Sequence, residues 1–480
     1  MRLIQALAAM VLIFAATAAA ERPNFIIILA DDQGWADLGS YGSPDIRTPN
    51  IDRLAAEGIR FTSFYAAPFC GPSRAALMTG SYPPRNSLAF NHGPKQTTGI
   101  HPNEITLAEV LSESGYKTMM IGKWHLGDAP QFLPHRNGFD HWLGIPFSND
   151  MWRYHPKMPY DQEEDARMQA ARERAAYTGY AGLERDYDLA AGQGFPHPLP
   201  LMEDDEVIEL DPDQTKLTTL YTERAVDFIE QNKEESFFLY LPHAMPHVPL
   251  FVSKERSGRS LRGLYGDVIE EIDWGVGRIL AKLEALGIDD NTLIVYTSDN
   301  GPWLQYGVDA GSAGPFRDGK STTYEGGMRV PGLMRWPEKI PPGQVSSEPV
   351  AGMDLFPTFA GLAGVEIPSD RTIDGRDLWP LLSGQTGAKS PHEYFYYFHG
   401  SGRKKLSNIQ AVRHGKWKLH LKRIGRTRGL EPVALYDLHE DPGEQFDRLK
   451  LNLALGARML KQTESFVREL EDNARPLGGL

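Results

Sequence analysis

Four stretches of this chain are apolar without alternation, and each stops abruptly at polar residues. They are Asn24–Ala30, Lys117–Ile121, Ser236–Leu241 and Thr292–Tyr296. A short, β-branched run with no polar side reads as a strand buried on both faces, and parallel sheets need such strands. Segments with helical spacing lie between them. Thr106–Glu113 opens on a capping threonine, Asp213–Lys233 carries Leu217, Leu220, Tyr221, Phe228 and Ile229, and Tyr265–Leu286 carries Ile269, Ile272, Val276, Ile279 and Leu283. The pattern predicts an α/β fold around a large, mostly parallel sheet flanked by helices.

The residues that end each run carry the chemistry. The first run ends at Asp31-Asp32, whose adjacent carboxylates repel unless a cation lies between them; a turn or helix cap is the competing reading. The second leads into Lys123 and His125, which aim at one anion or pack on the surface, and Ser148 follows the next segment. The third is followed by His243 and His247 among prolines, of which His247 is the favoured functional residue, and the fourth by Asp299 and Asn300. Lys320 lies in a glycine-bounded loop, ahead of Glu325 and Arg329, which read as a structural pair. Ligands of open α/β sheets bind outside the carboxyl ends of the strands, so these ends converge on one site for a cation and an oxyanion ester.

The only cysteine, Cys70, precedes a helix-compatible run closed by Gly80. At a helix N-terminus, unpaired N–H groups favour an anion and are expected to lower the thiol pKa. Cys70-Gly71-Pro72-Ser73-Arg74, followed by Ala75 and by Thr79-Gly80, resembles the signature of the type I sulfatases, with Gly71 at a position the family leaves open. Gly122-Lys123-Trp124-His125-Leu126-Gly127, Ser298-Asp299-Asn300-Gly301 and the run Tyr324–Pro331 are similar to the arylsulfatase A and N-acetylgalactosamine-6-sulfatase branch, and the likeness runs through essentially the whole chain after the leader.

The resemblance implies an alkaline-phosphatase-like fold and hydrolysis of sulfate esters, with sulfated carbohydrate or small aryl sulfates as substrates. It implies that a separate maturing enzyme converts Cys70 to formylglycine, whose hydrate is the nucleophile. Asp31, Asp32, Asp299, Asn300 and the modified Cys70 would hold Ca²⁺, with Mg²⁺ the lesser alternative. Arg74 and Lys123 would stabilise the hydrate. Lys123, Lys320, His247 and Ser148 would bind sulfate, with Lys320 or His247 protonating the leaving alcohol. Asp299 would activate the attacking hydroxyl, and His125 would take the proton that expels the sulfate. A phosphate ester hydrolase on the same fold and a non-catalytic glycan-binding protein are the alternatives.

Residues 1–20 read as a signal peptide: Arg2, an apolar Leu3–Phe14 and Ala18-Ala19-Ala20 before the cut. Export to the periplasm, the exterior or a lysosome-type lumen is expected, with no stable membrane insertion. The remaining chain divides into a catalytic unit, 21–375, and a smaller α+β unit, 376–480, with short antiparallel strands and a terminal helix from Leu451 to Leu470. A net charge of −13 argues against nucleic acid as a partner. Met151–Pro212 lacks periodicity and reads as an irregular insertion. Ten basic residues of the smaller unit, Arg403, Lys404, Lys405, Arg413, Lys416, Lys418, Lys422, Arg423, Arg426 and Arg428, read as a solvated face or as a track for further sulfates of a polymer.

Overall fold

The first apolar run is buried at every position of its strand, as a segment apolar on both sides requires. The computed structural model describes residues 22–152, 197–399, 408–424 and 429–480. Its large sheet has eleven strands. In chain order they are β1 (Asn24–Ala30), β2 (Ile59–Tyr65), β3 (Lys117–Lys123), β4 (His141–Ile145), β5 (Pro200–Glu203) and β6 (Glu206–Leu210). They continue with β7 (Phe237–Pro242), β8 (Thr292–Ser298), β9 (Arg329–Arg335), β10 (Gln344–Ser346) and β11 (Val350–Ala351). The spatial order is β10-β2-β9-β8-β1-β7-β3-β4-β5-β6, with β11 also on β2.

The four expected strands sit side by side as β8-β1-β7-β3, all parallel, and β4 extends them in the same direction. Alternate residues of β1 feed two cores. Ile26 and Ile28 meet Tyr221, Ile229, Ile272 and Val276 from the helices Leu217–Gln231 and Leu264–Leu286. Phe25, Ile27 and Leu29 meet Ala75, Leu107, Leu111, Phe356 and Phe359 from the opposite helix layer. Each fully buried aliphatic side chain contributes about 1.5–3 kcal/mol, so this continuous double core fixes the strand ends without disulfides.

A second, antiparallel sheet runs β12 (Phe395–Phe398), β13 (Ile409–His414), β14 (Trp417–Arg423) and β15 (Leu430–Asp437). The helix Leu453–Asp472 packs on it through Met459, Val467 and Leu470, in one core with Tyr65, Tyr82, Met328 and Met353 from the large-sheet side.

Two expectations are corrected. Met151–Pro212 is not irregular throughout: β5 and β6 form a hairpin extending the sheet, while 153–196 lies outside the described residues. Of the ten basic residues, the five that are described do not form an open track. Arg413 and Lys418 are buried, and Lys416, Lys422 and Arg423 each face an acid, Asp437, Glu431 and Glu471. Arg403, Lys404, Lys405, Arg426 and Arg428 lie outside the described residues, as does the leader. Among the described residues no helix is long and apolar enough to cross a membrane.

Candidate active site

Strand register brings the acids together. Ala30 of β1 pairs with Ser298 of β8, so Asp31 and Asp299 leave the sheet side by side, with Asp299 N–H donating to the Ala30 carbonyl at 3.1 Å. Asp32 takes a left-handed backbone (φ 66°), and its N–H donates to Asp299 Oδ1 at 3.2 Å. Lys123 arrives from the end of β3, and His247 from the loop after β7.

Cys70 begins the helix Cys70–Thr79, after an extended Phe69, and Gly80 closes that helix at φ 63°, a conformation that favours glycine. Gly71 N–H donates to Asn91 Oδ1 at 2.9 Å, which fixes the first turn. Cys70 Sγ lies 3.4 Å from Asp31 Oδ1, 3.7 Å from Asp32 Oδ1 and 3.4 Å from Lys320 Nζ, with the side chain fully buried.

Arg74, one turn along, donates from Nε and Nη2 to Asp299 Oδ2 at 3.0 and 2.8 Å, and from Nη1 to the Lys123 carbonyl. Lys123 Nζ lies 2.5 Å from Asp31 Oδ2 and 3.1 Å from Ser148 Oγ. Lys320 Nζ lies 2.7 Å from Asp32 Oδ1. His247 donates Nδ1–H to the Val248 carbonyl at 2.6 Å, which turns Nε2 toward Asp32 Oδ2 at 3.6 Å. His125, at φ 70° and 1% exposed, has no hydrogen-bond partner on either ring nitrogen among the described residues. Every site residue named from the sequence therefore lies in or beside one buried cluster.

The electrostatics follow from burial and neighbours. Burial opposes the Asp31 charge, but Lys123, His247 and Arg74 together hold its carboxyl below the usual range. Burial and the Asp31 charge push Asp299 up despite Arg74. Burial works against charge on Lys123 and Lys320, and Asp31 and Asp32 respectively outweigh it, so both ammonium groups are held above their ordinary range. Burial, then Lys123 and Arg74, push His125 well down and keep its imidazole neutral. The expected low thiol pKa of Cys70 is not found. Burial, reinforced by Asp299 and Asp31, raises it and outweighs the opposing charges of Lys123 and Lys320.

The carboxylate oxygens of Asp31 and Asp32 and the Asn300 amide oxygen are the donor type of a hard divalent cation, and Cys70 fits that set only with an oxygen in place of its sulfur. Asp31, Asp32, Cys70 and His247 offer ligand atoms within 4.8 Å of one another. Beside them Asn300 donates Nδ2–H to Asp32 Oδ1 at 2.7 Å, while its buried Oδ1 has no donor among the described residues. A buried carbonyl oxygen without a donor is costly, and coordination to a cation satisfies it. The sequence reading missed Trp303, whose ring lies 4.3 Å from Lys320 Nζ and 5.4 Å from the His247 ring. Its signal was an aromatic residue directly after Ser298–Pro302.

A mixed sheet with buried carboxylates at its parallel strand ends, and Cys70 at a facing helix start, has the architecture of the alkaline-phosphatase-like hydrolases. The profile of the Sulfatase family matches residues 23–365, and that of the N-sulphoglucosamine sulphohydrolase C-terminal region matches 315–463. The chain belongs to the sulfatase family and is a sulfuric ester hydrolase. It is 40% identical over 418 residues to N-acetylgalactosamine-6-sulfatase of Rattus norvegicus, covering 85% of this chain and 72% of the relative. It is 38% identical over 492 residues to steryl-sulfatase of Mus musculus, covering 88% and 78%. Its fold matches the crystal structure of Ps i-CgsB in complex with k-i-k-neocarrahexaose at a TM-score of 0.74 and 32% identity, covering 93% of each chain.

Proposed function

We propose that this sulfatase is exported and removes sulfate from a sulfated carbohydrate, with Cys70 matured to formylglycine and Ca²⁺ held by Asp31, Asp32, Asp299, Asn300 and residue 70. The observation that carries this reading is the placement of Cys70: the first residue of a helix, with its side-chain atom against two carboxylates and Lys320. Formylglycine supplies a hydrated aldehyde as oxygen nucleophile, so that the sulfated enzyme is released by breaking a C–O bond. The cation supplies charge stabilisation for sulfate oxygens.

The chain's own groups do the rest. Three buried carboxylates, Asp31, Asp32 and Asp299, face three buried cations, Arg74, Lys123 and Lys320, so a divalent ion leaves the centre net positive and suited to an anionic ester. Arg74 and Lys123 fix the residue-70 oxygens, and Asp299 accepts the proton of the attacking hydroxyl. Lys320 and His247 Nε2 hold sulfate oxygens, with Lys320 beside the departing oxygen, and Ser148 steadies Lys123. His125, neutral and with both ring nitrogens unpaired among the described residues, accepts the second hydroxyl proton. The carbohydrate assignment draws on two similar proteins, an N-acetylgalactosamine-6-sulfatase and a neocarrahexaose-bound structure. A sulfatase-maturing enzyme is the implied partner.

The test is hydrolysis of matched sulfate and phosphate monoesters and of a sulfated oligosaccharide panel by matured enzyme. Selective release of sulfate, from sugars as well as aryl sulfate, is expected. Faster phosphate than sulfate release, or inert sugars beside a reactive aryl sulfate, overturns the corresponding part.

A further inference from the structure

The loop that carries Lys320 is held by the second sheet as well as by the large one. Glu325, at the start of the short helix Glu325–Met328, is fully buried. Its Oε1 accepts from Lys418 Nζ at 2.9 Å and Tyr397 OH at 3.1 Å, and its Oε2 accepts from Tyr65 OH at 2.6 Å. Lys418 Nζ also lies 3.0 Å from Glu444 Oε1, while Glu444 Oε2 accepts the Glu325 N–H at 2.7 Å.

Further contacts spread along the loop. His399 Nε2 meets the Ser321 carbonyl at 3.0 Å, Thr323 Oγ1 donates to Gln410 Oε1 at 2.9 Å, and Arg317 Nη1 donates to the Glu444 carbonyl at 3.1 Å. The loop has no slack to absorb a shift. A Cβ on Gly326 would stand 2.0 Å from the Asp318 carbonyl oxygen, and Asp318 and Ser321 both hold positive φ. Lys320 is bracketed in turn by its own N–H to the Pro302 carbonyl, 2.9 Å, and by the Ser321 N–H to the Pro68 carbonyl, 2.9 Å, two residues before Cys70.

We infer that Lys418 is a positioning residue for catalysis: through its buried contacts to Glu325 and Glu444, the C-terminal sheet sets the Lys320 ammonium against the leaving oxygen. This rests on the role of Lys320 proposed above. A basic residue that sequence reading placed on an open face is here the cation shared by two buried acids, Glu325 and Glu444, with His420 Nε2 2.6 Å from Glu444 Oε1 on the other side. The Glu325 and Arg329 pair, 3.3 Å apart, belongs to the same clamp.

The test is a double-mutant cycle on matured enzyme, with aldehyde content measured so that rates are per active site. Lys418→Met keeps chain length and removes the charge. Because a displacement on the order of 1 Å costs up to about 10²-fold, kcat on an alkyl sulfate with a poor leaving group should fall by about that factor. An activated aryl sulfate needs little help at its leaving oxygen and should lose only a few-fold, with KM little changed. Lys418→Arg should recover much of the loss.

In the Lys320→Ala background, Lys418→Met should cost little more. Loss that multiplies fully with Lys320→Ala, or that falls equally on both esters, overturns the inference. Lys320→Ala alone tests the underlying role: an equal loss on both esters refutes the leaving-group assignment, whereas a selective loss beside an uncoupled Lys418→Met refutes only the clamp. If Lys418→Met does not unfold cooperatively, Thr323→Val, which removes one hydroxyl from the same loop, carries the cycle with the same criteria.

Discussion

Glu325→Gln isolates what the buried clamp contributes to stability. Burial alone would raise the Glu325 pKa, but Lys418, Arg329 and Arg413 outweigh it and hold the carboxyl at about 2, against 4.5 for an unperturbed glutamate. A depressed folded-state pKa stabilises the native protein above the unfolded pKa, and the stabilisation is lost as pH falls through the folded one. Each pKa unit is worth 1.36 kcal/mol, so the linkage contributes about 3 kcal/mol at pH 6 and about half of that at pH 3. Glutamine keeps the shape but cannot titrate, and it leaves Lys418 and Arg329 short of a buried counter-charge.

The assay is equilibrium urea unfolding of both proteins between pH 3 and pH 7, followed by tryptophan fluorescence. The stability gap between wild type and Glu325→Gln should be constant from pH 7 to about pH 5.5 and then narrow, by about 2 kcal/mol, on reaching pH 3. Parallel stability curves over that range, or a gap that widens on acidification, would refute the reasoning, because the buried carboxylate would then not be the charged member of the clamp.

Arg74→Lys keeps a charge but not the planar fork that gives Asp299 two contacts, so kcat should fall by about 10²-fold or more in steady-state assays of sulfate release. Removing the proposed Ca²⁺ with a chelator should lower the thermal midpoint, and restoring it to a hundredfold excess over its Kd should return about 3 kcal/mol of stability; Asn300→Ala should blunt that response in calorimetry. Ser148→Ala removes one contact to Lys123 and should cost about 5-fold in kcat/KM, consistent with one hydrogen bond.

The site was legible because its residues follow the strands that sequence reveals most clearly. Asp31, Lys123, His247 and Asp299 each stand just past a run that is apolar on both faces, and burial on both faces is what central parallel strands require. The flanking strands were harder to read. β9 contains Pro331 and Gly332, which argue against a strand, yet the register shifts between Val330 and Gly332, and an irregularity is where a sheet accommodates proline. β6 is exposed at all five positions and offers no burial pattern to find.

The thiol pKa was misjudged because a helix terminus is visible in sequence, whereas the two carboxylates facing Cys70 come from residues 39 and 229 positions away in the chain. Lys418 was misread for a related reason. Charge runs are visible locally, but the acids that pair with this lysine are Glu325 and Glu444, one just after the loop that carries Lys320 and the other past β15. Trp303 gave only the bare signal of an aromatic residue beside a polar strand end.

The central claim is that residue 70 acts as an oxygen nucleophile made from a cysteine. Mass spectrometry of the peptide spanning Phe69–Arg74, from fully active protein purified from its native host, tests it most directly. The aldehyde form is predicted, in proportion to specific activity across preparations. An intact thiol in protein of full activity would contradict the account.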